Sequence, residues 1–453
     1  AALIPVFSGV VLNPKDDHEA SDFVENTTSM LLFVTLFLTI IFFFGMPFII
    51  QVLAPGFTDN KEAYELAVHF GKIIFPYIIF ISLAAHFASI NNVHERFAAG
   101  AFAPAILNIS FILSLFVLTP LLPSAGHALS YGVLVGGVLQ FLYLYWTVLK
   151  FYRPRIRIPI LNDKLKKFFS LFLPGVVGSG VIQLNIVIGT IIASFLPVGA
   201  ISHIYYADRL NQLPLAIFGI ALGIVLLPNL SKAIKQSDQK TTHNIQNRSI
   251  EFSLLISLPS AIGLFILAEP IIYILFERGA FLQEDTFYTA RVLGYFALGL
   301  PAYIIIKVLV SCFFAREDTK TPLYISLVSV ISNIVLSLLL IGSMREMGIA
   351  LATAISAWIN ALLLYLLLFT KGFLKFDSLL IRNSIKILLS SALLIFGIFG
   401  LKGILFDDFS ANSILINSLS LFLMIFLVLI IYLGLVIVLK VLTINQLKQY
   451  LKK

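Results

Sequence analysis

The stretch SMLLFVTLFLTIIFFFGMPFIIQVLA, residues 29–54, runs from end to end without a charged side chain. A run of this length suits a helix whose backbone groups bond to one another while its side chains face hydrocarbon. Twelve such candidate spans lie near 29–54, 67–92, 99–121, 126–149, 168–195, 200–230, 250–276, 288–313, 322–343, 347–370, 382–405 and 412–440. A transmembrane barrel would instead alternate apolar and polar residues over short segments. Charged residues make up 12% of the chain, about half the share of a soluble domain. The expected fold is therefore an all-α polytopic membrane protein. One cysteine, Cys312, excludes an internal disulfide and a cysteine-based metal cluster.

The net charge of +8 first asks for a topology reading rather than a nucleic-acid partner. The connections between spans alternate in Lys and Arg content. One set (1–28, 93–98, 150–167, 231–249, 314–321, 371–386 and the C-terminal tail) holds 23 cations. The other (55–66, 122–125, 196–199, 277–291, 344–346, 402–411) holds five. This bias places the first set, and the C terminus, in the cytoplasm. The basic stretch 150–167 reads as a cytoplasmic linker and topology determinant, with anionic lipid headgroups within its reach.

The chain also repeats itself. At an offset of 223, Pro5 falls on Pro228, Pro47 on Pro270 and Gly56 on Gly279. At an offset of 225, Pro76 falls on Pro301 and Asn108 on Asn333. GHALSYGVLVGGVLQFLYLY (126–145) then resembles GIALATAISAWINALLLYLL (348–367). Prolines and glycines inside spans set kinks and close contacts, so a duplicated backbone keeps them. The second copy runs through six spans, and an even number gives both copies one orientation, as in parallel-repeat transporters. The domains expected are a first lobe at 1–149, a linker at 150–167, a second lobe at 168–373, and two additional helices with a tail at 374–453. The counterpart of 168–223 falls before Ala1, so a complete chain is expected to carry about fourteen spans, two of them ahead of this sequence.

Charge inside a span is costly and marks function by default. Residues 205–210 read YYADRL, within the span 200–230. At 100° per residue, Ser202, Tyr205, Tyr206, Arg209, Gln212, Ala216, Gly219 and Gly223 share one side. Ile201, Ile204, Leu215, Ile217, Phe218 and Leu222 form the expected lipid face. Arg209 then points into the bundle or a wet cavity, where its planar fork of donors suits phosphate. Asp208 diverges from it by 100° and is expected to pair with another helix. Lys307 and Lys72 are the other cations within spans, and each could instead reach the interface along its stem. Tyr205, Tyr206, Asp208, Arg209, Gln212 and Lys307 form the candidate substrate-binding set. Asn108 and Asn333 read as interhelical hydrogen-bonding residues. Asn333, Ser337 and Thr353 could also offer oxygens to a sodium ion, although the span 322–343 has no carboxylate. His203 and Asp208 form an H-x4-D spacing that lies 140° apart on a helix, so no catalytic pair and no catalytic residue follow.

These stretches together identify a resemblance. VLAPGF (52–57), FPYIIFISL (75–83), AFAPAILNIS (101–110), VGGVLQ (135–140), YYADRL (205–210), ALGIVLLPNLSK (221–232) and AREDTKTP (315–322) resemble the bacterial lipid II flippase family MurJ, also called MviN. That family belongs to the multidrug/oligosaccharidyl-lipid/polysaccharide exporter superfamily. The resemblance implies two six-helix lobes around a central cavity, followed by two extra helices. It implies movement of lipid II, the undecaprenyl-pyrophosphate-linked disaccharide-pentapeptide, to the outer leaflet of the cytoplasmic membrane by alternating access. It places a cavity arginine at Arg209 and the lipid tail in a groove at 382–440. The family's sodium site maps to Asn185, Asn333, Ser337 and Thr353, but its acidic ligands have no counterpart here. The family's frequent acid after ADRL is Gln212. A monomer bound to lipid II and membrane lipids is expected.

Three other readings stay open on the residues alone. A cation-coupled drug exporter of the same architecture would want twelve spans and an embedded carboxylate. A flippase for another polyprenyl-linked glycan, or a non-transporting scaffold for wall assembly, would share most of these features.

Overall fold

The computed structural model describes residues 7, 19–160, 183–405 and 413–441, and every regular element among them is helical. Among the described residues, ten helices, or pairs of helices in line, are long and apolar enough to cross a membrane. The chain packs as two units, Ala1–Ile191 and Ile192–Lys453.

The first unit contains α1 (Glu19–Leu53), α2 (Lys61–Ile74), α3 (Tyr77–Val93), α4 (Phe97–Leu118) and α5 (Ala125–Val148). The expected span 67–92 is broken where Pro76 caps α3, because proline has no N–H for the preceding turn. The repeat-related Pro301 lies inside an unbroken helix, so the two prolines do not do the same work. Asn108 is exposed rather than bonded across helices. Ser110 makes that link instead, its Oγ donating to the Gly132 carbonyl at 2.8 Å. The linker residues 152–160 form no regular element and are held by the side chains of α1. Asn26 exchanges two hydrogen bonds with the backbone of Ile160, at 2.6 and 2.7 Å. Ser29 accepts from the Arg157 amide at 2.9 Å, and the Arg157 guanidinium meets Asp22 at 3.0 Å. Residues 161–167 of the linker, and 168–182 of the expected fifth span, lie outside the described residues. The short helix α6 (Gln183–Ala193) follows.

The second unit contains α7 (Ala200–Pro214), α8 (Ile220–Lys235), α9 (Gln239–Ile266), α10 (Ala268–Phe276), α11 (Gln283–Phe314), α12 (Lys320–Met344), α13 (Glu346–Thr370), α14 (Ser378–Leu405) and α15 (Ile414–Val438). The expected span 200–230 is one rod interrupted: Leu215–Gly219 forms a π-helical turn between α7 and α8. The expected span 250–276 is likewise divided, at Leu267 between α9 and α10. Helix α11 is the most enclosed of the ten spans. It packs against α7, α9, α10 and α13. Helices α14 and α15 close onto α9 and α10, where Tyr432 donates to the Leu255 carbonyl at 2.7 Å.

What faces outward is apolar. Phe44, Phe116, Phe396 and Phe422 are 73 to 78% exposed, as suits helices that face lipid. What faces inward is small or polar. Helix α13 turns Gly348, Ala352, Ser356 and Asn360 inward, and such residues let helix backbones approach closely where no hydrophobic force drives them together. Gly348 marks the limit, since a Cβ there would sit 2.9 Å from the backbone of Leu340 on α12. Cation-rich connections carry the ion pairs of the other surface. Arg248 on α9 grips both oxygens of Asp377 at 2.7 and 2.8 Å. In AREDTKTP, Glu317 turns the chain at φ +61°, and Asp318 accepts from the Thr321 amide at 3.0 Å and hydroxyl at 2.7 Å. Those two donors, with Lys371 at 3.7 Å, hold the Asp318 carboxyl below the usual carboxylate range.

Two outcomes follow. Gly348→Ala is expected to cost about 1–3 kcal/mol by overpacking, read as a lower thermal midpoint in micelles. Gly342→Ala, in open space near the end of α12, is expected to hold the midpoint or raise it slightly, since alanine favours the helix over glycine. Because the Asp318 carboxyl is depressed in the folded state, its contribution exists above the unfolded value and is lost as pH falls through the folded one. The midpoint gap between wild type and Asp318→Ala therefore closes only below the ordinary carboxylate range.

Candidate functional site

Helix α7 begins at Gly199, whose φ of +100° is the left-handed conformation that favours glycine. Its buried side carries Ala200, His203, Ala207, Leu210 and Asn211. Ala207 and Leu210 enter a core with Ile272 on α10, Leu293 and Phe296 on α11 and Ala350 on α13. Its accessible side carries Ser202, Tyr205, Arg209 and Leu213. The helix is thus amphipathic, with its arginine on the exposed face.

The details depart from the sequence reading in four places. Ile204 and Leu215, expected to face lipid, pack against buried cores instead. The π-helical turn adds a residue to one turn, so the 100° count fails beyond Pro214. Tyr206 leaves the stripe, because its ring lies 4.8 Å from Phe276 and 5.5 Å from Phe281 in an aromatic cluster. Asp208 takes its partner from its own helix: Gln212 Nε2 donates to its Oδ2. The residue that stands where the family often has an acid is therefore the one that engages Asp208.

Arg209 stands with its guanidinium 4.7 Å from the centre of the Tyr205 ring. Stacking of this kind steadies the plane by about 0.5–1 kcal/mol at an exposed site. An exposed guanidinium stacked in this way keeps its in-plane N–H donors for an oxyanion group that can meet them in pairs. Lys307 is also exposed, on α11, and its carbonyl accepts the Ser311 hydroxyl at 2.8 Å. Lys72 in the first unit lies 5.6 Å from the Phe43 ring centre.

Three of the four sodium candidates meet. Asn333 donates to the Thr353 hydroxyl at 3.2 Å and accepts from Ser337 at 3.0 Å, while Thr353 donates to the Ile349 carbonyl. This ties α12 to α13, as an interhelical hydrogen bond should. Asn185 lies on α6. Among the described residues no cluster of three or more His, Cys, Asp or Glu is arranged to hold a metal ion.

Two further features stand out, the first beside the groove that the resemblance places at 382–440 and the second not foreseen from sequence. An apolar cleft of about 380 Å³ opens between α9 and α15, lined by Pro214, Leu255, Pro259, Ile425, Leu429 and Tyr432. Its walls come from segments far apart in the chain, so no local pattern signals it. The other is the surrounding of His203. Its Nδ1 lies 3.0 Å from Glu346 Oε1 and its Nε2 lies 3.0 Å from Asp285 Oδ1. The pair His203–Asp208 shares no contact of this kind, in keeping with its 140° separation.

The sequence and the fold were then compared with known proteins. The family model "Lipid II flippase MurJ" matches residues 1–422. A Rhizobium tropici protein named "Probable lipid II flippase MurJ" is 40% identical over 401 residues, covering 87% of this chain and 74% of that protein. A solved structure titled "Lipid II flippase MurJ, inward closed conformation" superposes with a TM-score of 0.78 at 28% identity, over 96% of this chain and 86% of that one. A multidrug resistance MATE family transporter of the MOP superfamily, in an inward-facing conformation, shares the fold at a TM-score of 0.66 and 14% identity, over 82% and 86%. With a family model across most of its length and a relative this similar, the chain belongs to the lipid II flippase MurJ family.

Proposed function

We propose that this chain moves lipid II from the inner to the outer leaflet of a bacterial cytoplasmic membrane by alternating access. The observation that carries this reading is Arg209, an exposed guanidinium on a helix whose other face is buried in an apolar core. A diphosphate stripped of water in hydrocarbon costs on the order of tens of kcal/mol. Charge-assisted hydrogen bonds from a stacked arginine replace part of that water. Tyr205 orients the arginine, and Gln212 keeps Asp208 occupied on the same helix. The cleft between α9 and α15 is apolar and faces the extra helices α14 and α15, which suits a polyprenyl tail. The headgroup then crosses in water while the tail stays in an oily environment.

The 23-to-five bias in cations supports a cytoplasmic C terminus. The lobes in this reading run over 1–149 and 168–373, joined by the basic linker, and the chain acts as a monomer. Asn333, Ser337 and Thr353 already satisfy one another, which favours a tie between helices over a sodium site.

Native mass spectrometry of the full-length protein tests the headgroup assignment. Lipid II is expected to bind in preference to an anionic phospholipid. Arg209→Ala should weaken lipid II by about 10-fold or more, the loss of one or two charge-assisted hydrogen bonds, and Arg209→Lys by less. Equal binding of both lipids, unchanged in Arg209→Ala, would assign this arginine to structure alone.

A further inference from the structure

His203 is buried at the cation-poor end of α7, between the first turns of α11 and α13. Each ring nitrogen faces a carboxylate oxygen at 3.0 Å, Asp285 on one side and Glu346 on the other. A neutral imidazole has one N–H, so it can donate to only one of them. The second contact needs a proton as well, on the ring or on a carboxyl. The arrangement therefore holds one proton more than a neutral histidine and two carboxylates would.

The surroundings make that proton consequential. Glu346 has no exposed side-chain surface and His203 has 6%, while Asp285 has 31% and is the contact with the exterior. Glu346 Oε2 meets Arg345 Nε at 3.4 Å, and Arg345 takes φ +53° to stand there. The Arg345 guanidinium donates to the Tyr288 hydroxyl at 3.0 Å, and the Tyr288 ring stacks on His203 at 5.7 Å. With the proton, two cations balance two carboxylates. Without it, a buried carboxylate loses a donor and the cluster becomes net negative. Among the described residues, other charged groups at this end of the unit have contacts of their own, Arg278 donating to the Leu275 carbonyl. On α10 and the loop after it, Glu269 sits beside Arg291, and Glu277 accepts from Thr286. The basic and acidic residues of α9, Lys240 to Glu251, lie toward its opposite end.

The mechanical setting is also present. Helix α7 is separated from α8 by Pro214 and the π-helical turn at Leu215–Gly219, a feature found where helices bend. A Cβ on Gly199 would lie 3.4 Å from the imidazole, so the ring fills the space under the turn that starts the helix. We infer that His203, Asp285 and Glu346 form a proton-binding site, and that the bound proton latches the first turn of α7, the helix that carries Arg209, to α11 and α13. The latch is closed at low pH and opens as pH rises and the proton leaves. It does not depend on which lipid the protein carries.

Imidazole nitrogen NMR on full-length protein labelled at histidine tests the site. The resonances missing from His203→Gln should show an imidazolium at about pH 7.5, where an ordinary histidine is mostly neutral. Alkylation of Ala200→Cys, a buried position beside the latch, reads the mechanical claim, since the native Cys312 is itself buried. Relative to an exposed Ser202→Cys control, its rate should rise at least tenfold as the proton leaves, and should be high and flat when His203→Gln is added. Glu346→Gln keeps the shape if His203→Gln does not fold, and it should shift the opening to lower pH. A neutral His203 at that pH, or an Ala200→Cys ratio that ignores pH in the wild-type background, would overturn the proposal.

Discussion

Charge is expensive in hydrocarbon, and the second unit is arranged around where α7 keeps its charge. One face of this helix is apolar enough to sit among Ile272, Leu293 and Phe296. The other face holds Arg209 open and stacked on Tyr205. Turning the helix by a third of a turn would bury the guanidinium and expose the core. The amphipathic split thus fixes the rotation of α7. The contacts of Tyr206 with Phe276 and Phe281, and of His203 with α11 and α13, then fix its tilt and depth.

The rest of the unit supports that placement. Helix α11 touches most of its neighbours, and α13 approaches it through small residues, with Trp358 donating to the Leu298 carbonyl at 3.0 Å. Close backbone approach substitutes for the hydrophobic force that is missing between helices in lipid. Helices α14 and α15 lie outside this packing and add a wall to an apolar cleft. In the proposed reading, Arg209 meets the charged head of the lipid and the apolar cleft takes its long tail. That same division of labour fits the family to which the chain belongs.

Much of this was legible in the sequence because membrane chemistry writes itself in one dimension. Uncharged runs foretold the ten spans found among the described residues, out of twelve expected, and the cation bias and an arginine among apolar residues supplied the proposed orientation and headgroup site. Most of the failures share a cause: they depended on contacts between distant segments or on irregular backbone. A regular 100° wheel could not foresee the π-helical turn, and so misassigned Leu215. Asp208 was expected to cross to another helix, and a four-residue reach to Gln212 sufficed. Pro76 and Pro301 looked equivalent by repeat, yet only one divides a helix. The His203 cluster draws its three members from sites up to 143 residues apart, so no spacing could reveal it.

The most direct test of the account follows lipid II itself. Cells depleted of their own flippase would be supplied with the full-length protein, and the lipid II reachable by an external, membrane-impermeant probe would be measured. The account predicts that wild type restores outer-leaflet lipid II, whereas Arg209→Ala, present at equal level in the membrane, does not. Full restoration by Arg209→Ala, or none by the wild type, would contradict it.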